Sequence, residues 1–302
     1  MLNLNGIKVK NRIWLAAGAA GYGKGWPWER PLIKLGLVDL TAFGGVITKT
    51  LTLEPRAGNY MDPFEFERRS LMSHLCRISS QERKNVLRKI PGGWINNLGW
   101  WNVGIDYWIE NIYPDLTDIA IIPNIGGFIM GEYLKLIEKL NPLNIIAIEV
   151  NISCPNIKPD YDPQRDLPEL FRMAKTISRH PLILKIGPSE QDLRLAQTAA
   201  ASGFNAISAI NTVPGAIAVK DGIFQGGQSG GRIKETALWW ILRLKEALKI
   251  SKTPIIGGGG ITSWKDCPDF FEAGASAITL GSGFLSLTNF WLPTRIAKKY
   301  GK

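Results

Sequence analysis

The sequence predicts an α/β protein built as a (β/α)8 barrel. Eight short apolar runs, each bounded by Gly, Pro, Asn or another polar residue, are typical of buried parallel strands. Stretches with helical spacing separate most of these runs, which indicates repeated β-α-β units. Eight strands in a chain of 302 residues match the size of such a barrel. A doubly wound open sheet is the main alternative for the same pattern.

The predicted elements follow one another in a regular order. The eight apolar runs occupy residues 13–17, 46–50, 119–124, 145–151, 182–186, 206–211, 254–258 and 277–281. The clearest helical patterns occupy residues 167–179, 189–203 and 234–249. Ser189 and Ser263 are suited to cap helix N-termini, and Gly203 and Gly274 are suited to end helices.

Residues 51–118 interrupt this regularity. The segment is long, charged and proline-containing, with a helical pattern at 81–90 and several tryptophans after it. An insertion after the second strand of a barrel would form a cover over the active site. A small structural subdomain with a tryptophan core is a compatible alternative. We therefore expect a single domain over residues 1–302, with 51–118 as an inserted cover segment.

Composition and charge exclude several classes of protein. Hydrophobic residues make up 45% of the chain, yet no run of about 18 apolar residues occurs, so we expect no integral membrane segment. The N-terminus lacks an apolar signal core, and three cysteines fit a reducing compartment, so a cytoplasmic location is expected. The net charge of +10 is spread along the chain without a basic block, which favours small anionic ligands over nucleic acid.

Polar and glycine residues gather at the carboxyl ends of the predicted strands. In a barrel these ends meet at one rim, where catalytic groups are found. Such residues are Gly18, Lys49, Asn124, Asn151, Lys185, Asn211 and Thr212. Glycine-rich loops follow the last three runs, at 226–232, 257–260 and 281–283. Loops of this kind bind phosphate through backbone N–H groups, although ordinary glycine turns are the alternative.

Cys154, in the segment NISCPN at 151–156, is the most specific single indication of chemistry in the sequence. Its thiolate can serve as a nucleophile, a metal ligand or a proton-abstracting base. No cluster of His, Asp or Glu accompanies it, so we expect no metal site. Of the two histidines, His180 is predicted on the opposite rim, which argues against a Cys–His pair. Cys76 and Cys267 are expected to be structural.

Taken in order, these motifs resemble the dihydroorotate dehydrogenases over most of the chain. The matching segments are TKT at 48–50, NIGG at 124–127, NISCPN at 151–156, LKIGP at 184–188, NTVPG at 211–215, GGQSGGRIKETAL at 226–238, PIIGGGGI at 254–261 and GSG at 281–283. The resemblance implies an FMN-binding (β/α)8 barrel that oxidises dihydroorotate to orotate in pyrimidine biosynthesis. A base takes a proton from C5 of the substrate, and hydride passes from C6 to flavin N5.

The resemblance also implies roles for individual residues. Cys154 would be the base, assisted by the cationic Lys49. Residues implied in FMN binding are Ala17, Gly18, Lys49, Thr50, Asn124, Asn151, Lys185, Gly230, Gly231, Gly257, Gly259, Gly260, Gly281 and Ser282. Residues implied in substrate binding are Lys49, Asn97, Asn151, Asn156, Asn211 and Thr212.

A cysteine base places the chain nearer the class 1 enzymes than the class 2 enzymes, which use serine. The electron acceptor remains open between fumarate, a quinone, and NAD through a separate electron-transfer subunit. The assembly is also open, and a homodimer is one candidate. A phosphate-binding barrel isomerase or lyase without flavin is a competing class of function, and a non-catalytic binding barrel is a third.

Two departures from the family pattern concern the substrate. Family members usually read N-x-x-G-L-x-N-x-G after the second strand. If Asn97 and Gly99 are aligned with the final N-x-G, Pro91 and Trp94 replace an expected Asn and Gly. Because proline has no donor, this alignment predicts weaker orotate binding and leaves open a different cyclic amide or acid as substrate.

Overall fold

The computed structural model describes residues 2–68, 84–281 and 291–300. The strands are β1 (Leu2–Leu4), β2 (Ile7–Val9), β3 (Ile13–Leu15), β4 (Gly45–Ile47), β5 (Leu87–Ile90), β6 (Gly93–Asn96), β7 (Ile121–Ile122), β8 (Asn124–Ile125), β9 (Ile148–Asn151), β10 (Leu182–Ile186), β11 (Ala206–Ala209), β12 (Val213–Val219), β13 (Gly222–Ser229), β14 (Ile255–Gly258) and β15 (Ala277–Leu280). The helices are α1 (Arg30–Lys34), α2 (Pro63–Arg68), α3 (Ile105–Asn111), α4 (Met130–Leu140), α5 (Pro163–Ile177), α6 (Glu190–Ala201), α7 (Lys234–Ala247), α8 (Cys267–Ala273) and α9 (Leu292–Tyr300).

The main sheet is parallel and closes on itself. Its strand order is β7-β4-β3-β15-β14-β11-β10-β9-β8. The two strands at the ends of this order are halves of one extended segment, separated by Pro123. Ile121 pairs with Val46 on one side, and Asn124 pairs with Glu149 on the other. All eight predicted strands are present, and this closure confirms the barrel and excludes the open sheet.

A short N-terminal hairpin packs at the amino-terminal end of the barrel. Strands β1 and β2 pair around Asn5 and Gly6, whose positive φ angles of 51° and 93° suit a tight two-residue turn. Ile7 and Val9 of the hairpin are buried in one apolar cluster with the barrel residue Ile183. The hairpin therefore fills this end with hydrocarbon, and the opposite end is left for polar residues.

The three clearest predicted helices are confirmed, together with their caps. The Ser189 hydroxyl accepts a hydrogen bond from the Asp192 N–H at the start of α6, at 3.1 Å. Ser263 forms a capping box with Asp266 ahead of α8. Gly274 ends α8 with φ of 117°, a left-handed conformation that favours glycine.

Within the inserted segment one element differs from the prediction. The helical pattern at 81–90 predicts a helix, but Leu87–Ile90 forms strand β5. This strand pairs with β6, and β6 pairs with β13, in a four-stranded antiparallel sheet ordered β12-β13-β6-β5. The helix prediction is wrong for residues 87–90 because they pair with the adjacent strand β6 in a hairpin, and this pairing overrides local helical propensity. Residues 81–83 lie outside the described part of the chain.

Removing the Ser189 cap tests the assignment of α6. We expect Ser189→Ala to lower the free energy of unfolding by about 1 kcal/mol, because the Asp192 N–H loses its side-chain acceptor. Urea denaturation measures the change. Ser202→Ala is the matched control, since that hydroxyl only donates to a helical carbonyl at the other end of α6. Equal losses in the two variants would contradict a capping role.

Candidate active site

A pocket opens at the carboxyl ends of the barrel strands, with a cavity of about 290 Å³. Most of the predicted site residues line it together. These are Ala17, Gly18, Lys49, Thr50, Asn151, Cys154, Asn156, Lys185, Asn211, Thr212, Gly230, Gly259, Gly260 and Gly281. Their convergence follows from the parallel strands, whose carboxyl ends share one rim.

Four predicted residues are placed elsewhere. Asn124 lies behind the lining, fully buried, and donates to Glu149. Gly257 faces the surrounding helices rather than the pocket, since a Cβ there would meet Ile241 and Ala275 at 2.9 Å.

The other two are Gly231 and Asn97. Gly231 begins a short 3-10 helix beside the pocket and is not part of its lining. Asn97 accepts a hydrogen bond from Asn59 outside the pocket. Ser282 lies outside the described residues, as do His74 and Cys76.

Cys154 lies at the pocket on the loop after β9. Burial raises the pKa of its thiol, and the Asn156 N–H, Lys49 and Lys185 oppose that rise. His180 lies ahead of β10, at the amino-terminal end of the barrel, with Nε2 3.2 Å from the Leu140 carbonyl. Within the described residues Cys154 therefore works without a histidine partner.

The Cys154 loop is tied to its surroundings on both sides. The Ser153 hydroxyl donates to the Lys185 carbonyl at 3.1 Å. The Asn156 side chain donates to the Asn96 carbonyl, also at 3.1 Å. The first bond joins the loop to the barrel, and the second joins it to the inserted segment, so both structures position the cysteine.

The Lys49 ammonium faces the pocket from the residues after β4. Burial lowers its pKa to about 8, although the Cys154 thiolate favours the charged form. Its Nζ lies over the Trp101 ring, 5.5 Å from the ring centroid. Lys49 has no carboxylate partner among the described residues, so an anionic ligand would relieve the cost of burying its charge.

A chain of amide contacts runs across the floor of the pocket. Asn151 Nδ2 donates to Thr50 Oγ1 at 3.1 Å, and Asn151 Oδ1 accepts from Asn211 Nδ2 at 3.3 Å. The Tyr133 hydroxyl donates to the Asn151 carbonyl at 3.0 Å from α4. These contacts hold the amides in place at the point where polar ligand atoms would need partners.

The inserted segment contributes a wall of the pocket through Leu87, Asn96, Leu98, Gly99 and Trp100. Neither Pro91 nor Trp94 belongs to the lining. The structure therefore does not bring these two residues to the pocket, where that alignment expected substrate contacts.

The pattern N-x-x-G-x-x-N-x-G is met instead by Asn96, Gly99, Asn102 and Gly104, with Trp100 in place of the usual Leu. The Asn102 amide supports this register because Oδ1 accepts from the Gly104 N–H at 2.8 Å and Nδ2 donates to the Trp100 carbonyl at 2.7 Å. The same spacing was visible in the sequence, so Asn96 could have been found there.

Sequence reasoning also missed Glu149, a pocket-lining carboxylate. Its signal was a charged residue inside the apolar run at 145–151, where an acidic side chain is unusual unless it is paired. Ser208 and Thr279 of the barrel strands, and Trp26 of the first loop, line the pocket as well.

Comparison with known proteins shows the family of this chain. A model of the family described as dihydroorotate dehydrogenase matches residues 82–301. Three relatives carry the name "Dihydroorotate dehydrogenase B (NAD(+)), catalytic subunit". The protein of Phocaeicola vulgatus is 32% identical over 295 residues, which cover 93% of this chain and 86% of that protein. That of Endomicrobium trichonymphae is 35% identical over 298 residues, covering 94% and 86%. That of Geotalea daltonii is 34% identical over 296 residues, covering 93% and 86%.

The chain belongs to the dihydroorotate dehydrogenase family. The pocket residues Lys49, Asn151, Cys154 and Asn156 carry the family resemblance that the sequence already indicated. In the described ranges, no helix combines the length and the apolar character needed to cross a membrane.

The buried charge of Lys49 should cost stability in the ligand-free protein. Because its pKa is about 8 in the folded state, and near 10.5 when exposed, the unfolded chain binds more protons between these values. The penalty is therefore fully present below pH 8 and disappears as the pH approaches 10.5. We expect Lys49→Met to raise the Tm at pH 7, by about 2 °C or more for each kcal/mol gained, and less at pH 10.

Differential scanning calorimetry across this pH range measures the effect. Lys8→Met, an exposed lysine on β2, is the matched control and should leave the Tm nearly unchanged. A gain that is the same at pH 7 and pH 10 would contradict the titration of Lys49.

Proposed function

We propose that this chain is an FMN-dependent dehydrogenase that oxidises the CH–CH bond of dihydroorotate to give orotate. The observation that carries the proposal is Cys154, which lies at a pocket lined by two lysines and several asparagine amides. A lone cysteine between cations, in a family of dihydroorotate dehydrogenases, suits a base that takes a proton from carbon.

The residues present fit FMN. Gly259, Gly260 and Gly281 leave the loops after β14 and β15 without side chains, so backbone N–H groups can approach a phosphate. Lys49 and Lys185 would supply positive charge beside the ring system. When bound, FMN supplies the acceptor for the two electrons that leave the substrate. Ser282 stays a predicted phosphate contact.

Asparagine amides and one ammonium would hold the substrate. A planar ring with amide and carboxylate edges needs both donors and acceptors, and each buried polar group left unpaired costs about 1–3 kcal/mol. Asn151, Asn156, Asn211 and Thr212 offer them from the barrel side, and Asn96 offers them from the inserted segment. Lys49 would pair with negative charge on the substrate. Pro91 and Trp94 do not line the pocket, which supports dihydroorotate over a different cyclic substrate.

Cys154 Sγ would accept the proton from the substrate carbon. Burial disfavours the thiolate, whereas the nearby Lys49 and Lys185 ammonium groups favour it. The thiol pKa remains above its usual value, so the reactive thiolate is a minor form at neutral pH. The rate of substrate oxidation should therefore rise with pH until the thiol has ionised.

Two further expectations belong to this proposal. The relatives are named catalytic subunits of an NAD(+) enzyme, and we expect that here, too, electrons leave through a separate electron-transfer subunit. We also expect residues 51–118 to act as a cover, because Asn96, Leu98 and Trp100 of that segment line the pocket.

Anaerobic bleaching of the bound flavin by dihydroorotate tests both the activity and the base. We expect rapid, saturable bleaching by the unaltered protein. Cys154→Ala should keep the flavin but slow its reduction roughly 10²–10⁴-fold, and Cys154→Ser should need a higher pH because a hydroxyl is a weaker acid than a thiol. Cys267→Ala, a buried cysteine in α8, is the control. Undiminished bleaching in Cys154→Ala would rule out this base.

Two adjacent asparagines provide a test of the register. Asn96→Ala should weaken orotate binding by about 5- to 150-fold, the equivalent of 1–3 kcal/mol for an unpaired polar contact. Asn97→Ala should leave it within about twofold, because Asn97 lies outside the pocket. Titration of the flavin absorbance with orotate measures both affinities. The reverse order of effects would restore the alignment through Asn97.

Gly281 offers a clean test of the phosphate site. A Cβ there would lie 3.5 Å from the Ala16 Cβ, an ordinary contact, whereas one at Gly260 would lie 2.6 Å from the Lys234 backbone. Gly281→Asp should therefore fold but repel the phosphate and purify without FMN, while Gly281→Ala should keep it. Flavin content per chain, read from the absorbance, is the measurement. Full flavin content in Gly281→Asp would place the phosphate elsewhere.

A further inference from the structure

Glu149 is a buried carboxylate that the proposed reaction leaves without a role. It lies on β9, two residues before Asn151, and none of its surface is exposed. It lines the pocket, where it is the one carboxylate beside Lys49 and Lys185 among the described lining residues. Burying a charge of this kind is costly unless the charge is paired.

The partners of Glu149 come from the strands on either side of it. Oε1 accepts a hydrogen bond from Asn124 Nδ2 at 2.5 Å, across the pairing of β8 with β9. The same oxygen lies 3.7 Å from Lys185 Nζ on β10. Oε2 is buried and finds no hydrogen-bond partner in the part of the chain that the structure describes. The carboxylate therefore contacts one amide and one ammonium, both of them predicted flavin residues.

The second carboxylate oxygen argues against a purely structural role for Glu149. A carboxylate used only to hold two strands together would be expected to fill both oxygens, because a buried unpaired acceptor destabilises the fold. Glu149 instead lies within Coulomb range of the pocket with part of its charge unsatisfied. Lys185 is thereby charge-paired, and among the described lining residues Lys49 is the lysine without a carboxylate partner.

We infer that Glu149 is a positioning residue that holds Lys185 and Asn124 at the flavin site and offsets the positive charge of Lys185 there. This inference rests on the proposed function, since it assigns Lys185 to bound FMN. A negative charge beside the ring disfavours the anionic reduced flavin, so Glu149 makes the flavin a weaker oxidant than Lys185 alone would.

The reduction potential of the bound flavin tests this assignment directly. In Glu149→Gln the amide oxygen can still accept from Asn124, but the negative charge is gone. The midpoint potential, measured by spectroelectrochemical titration of the purified flavoprotein, should shift to a more positive value. Lys185→Gln should shift it to a more negative value. The double variant should return close to the unaltered protein, since it removes one charge of each sign.

Glu190→Gln is the matched control, because that carboxylate pairs with Arg243 at an exposed position on α6. It should leave the potential unchanged. If Glu149→Gln binds FMN normally but keeps the original potential, or shifts it to a more negative value, the inference is overturned and Glu149 is only structural. If the unaltered protein neither contains flavin nor binds added FMN, the proposed function itself fails.

Discussion

Closure of the parallel sheet through residues 121–125 is the constraint on which the site depends. Ile121 and Ile122 pair with β4, and Asn124 and Ile125 pair with β9. One short segment therefore joins the two edges of the sheet. Closure forces all strands to tilt together and brings their carboxyl ends to a common rim. Lys49, Cys154 and Lys185, which are far apart in the chain, thus line a single pocket.

The pocket concentrates groups that are unfavourable to bury. Desolvation lowers the pKa of Lys49 and raises that of Cys154, so burial disfavours the charged form of each group. The remainder of the barrel compensates with dense packing, such as the apolar cluster of Ile7, Trp14 and Ile183 at the other end. The apolar packing that stabilises the fold thus lies at the amino-terminal end of the barrel, and the polar pocket lies at the carboxyl end.

The wall opposite the barrel is built by pairing between distant segments. Strand β6 of the insertion pairs with β13, which follows β11, and Asn96 Nδ2 donates to the Gly227 carbonyl at 3.1 Å. Asn102 then fixes the turn that carries Gly99 and Trp100, since its amide bonds to Thr52 and Gly104. The insertion is consequently tied to the barrel at the place where Asn96 meets the Cys154 loop.

The sequence by itself determined the barrel and much of the polar rim. Buried strands are local apolar runs, and strand direction follows from the helices between them, so the runs ending at Lys49 and Asn151 could be located without coordinates. The family resemblance added the expectation that Cys154 is the base.

Only the tertiary structure decided which side of a strand a residue faces and which distant segment it pairs with. Gly257 faces the helices, and Asn124 lies outside the pocket lining, where it donates to Glu149. The face on which each residue lies depends on its register against the neighbouring strands. Residues 87–90 form a strand through pairing with the adjacent β6. Asn96 rather than Asn97 entered the pocket because β6 also pairs with β13, more than 120 residues along the chain. Local sequence carries no information about such pairings, since the energy that selects them comes from contacts between remote segments.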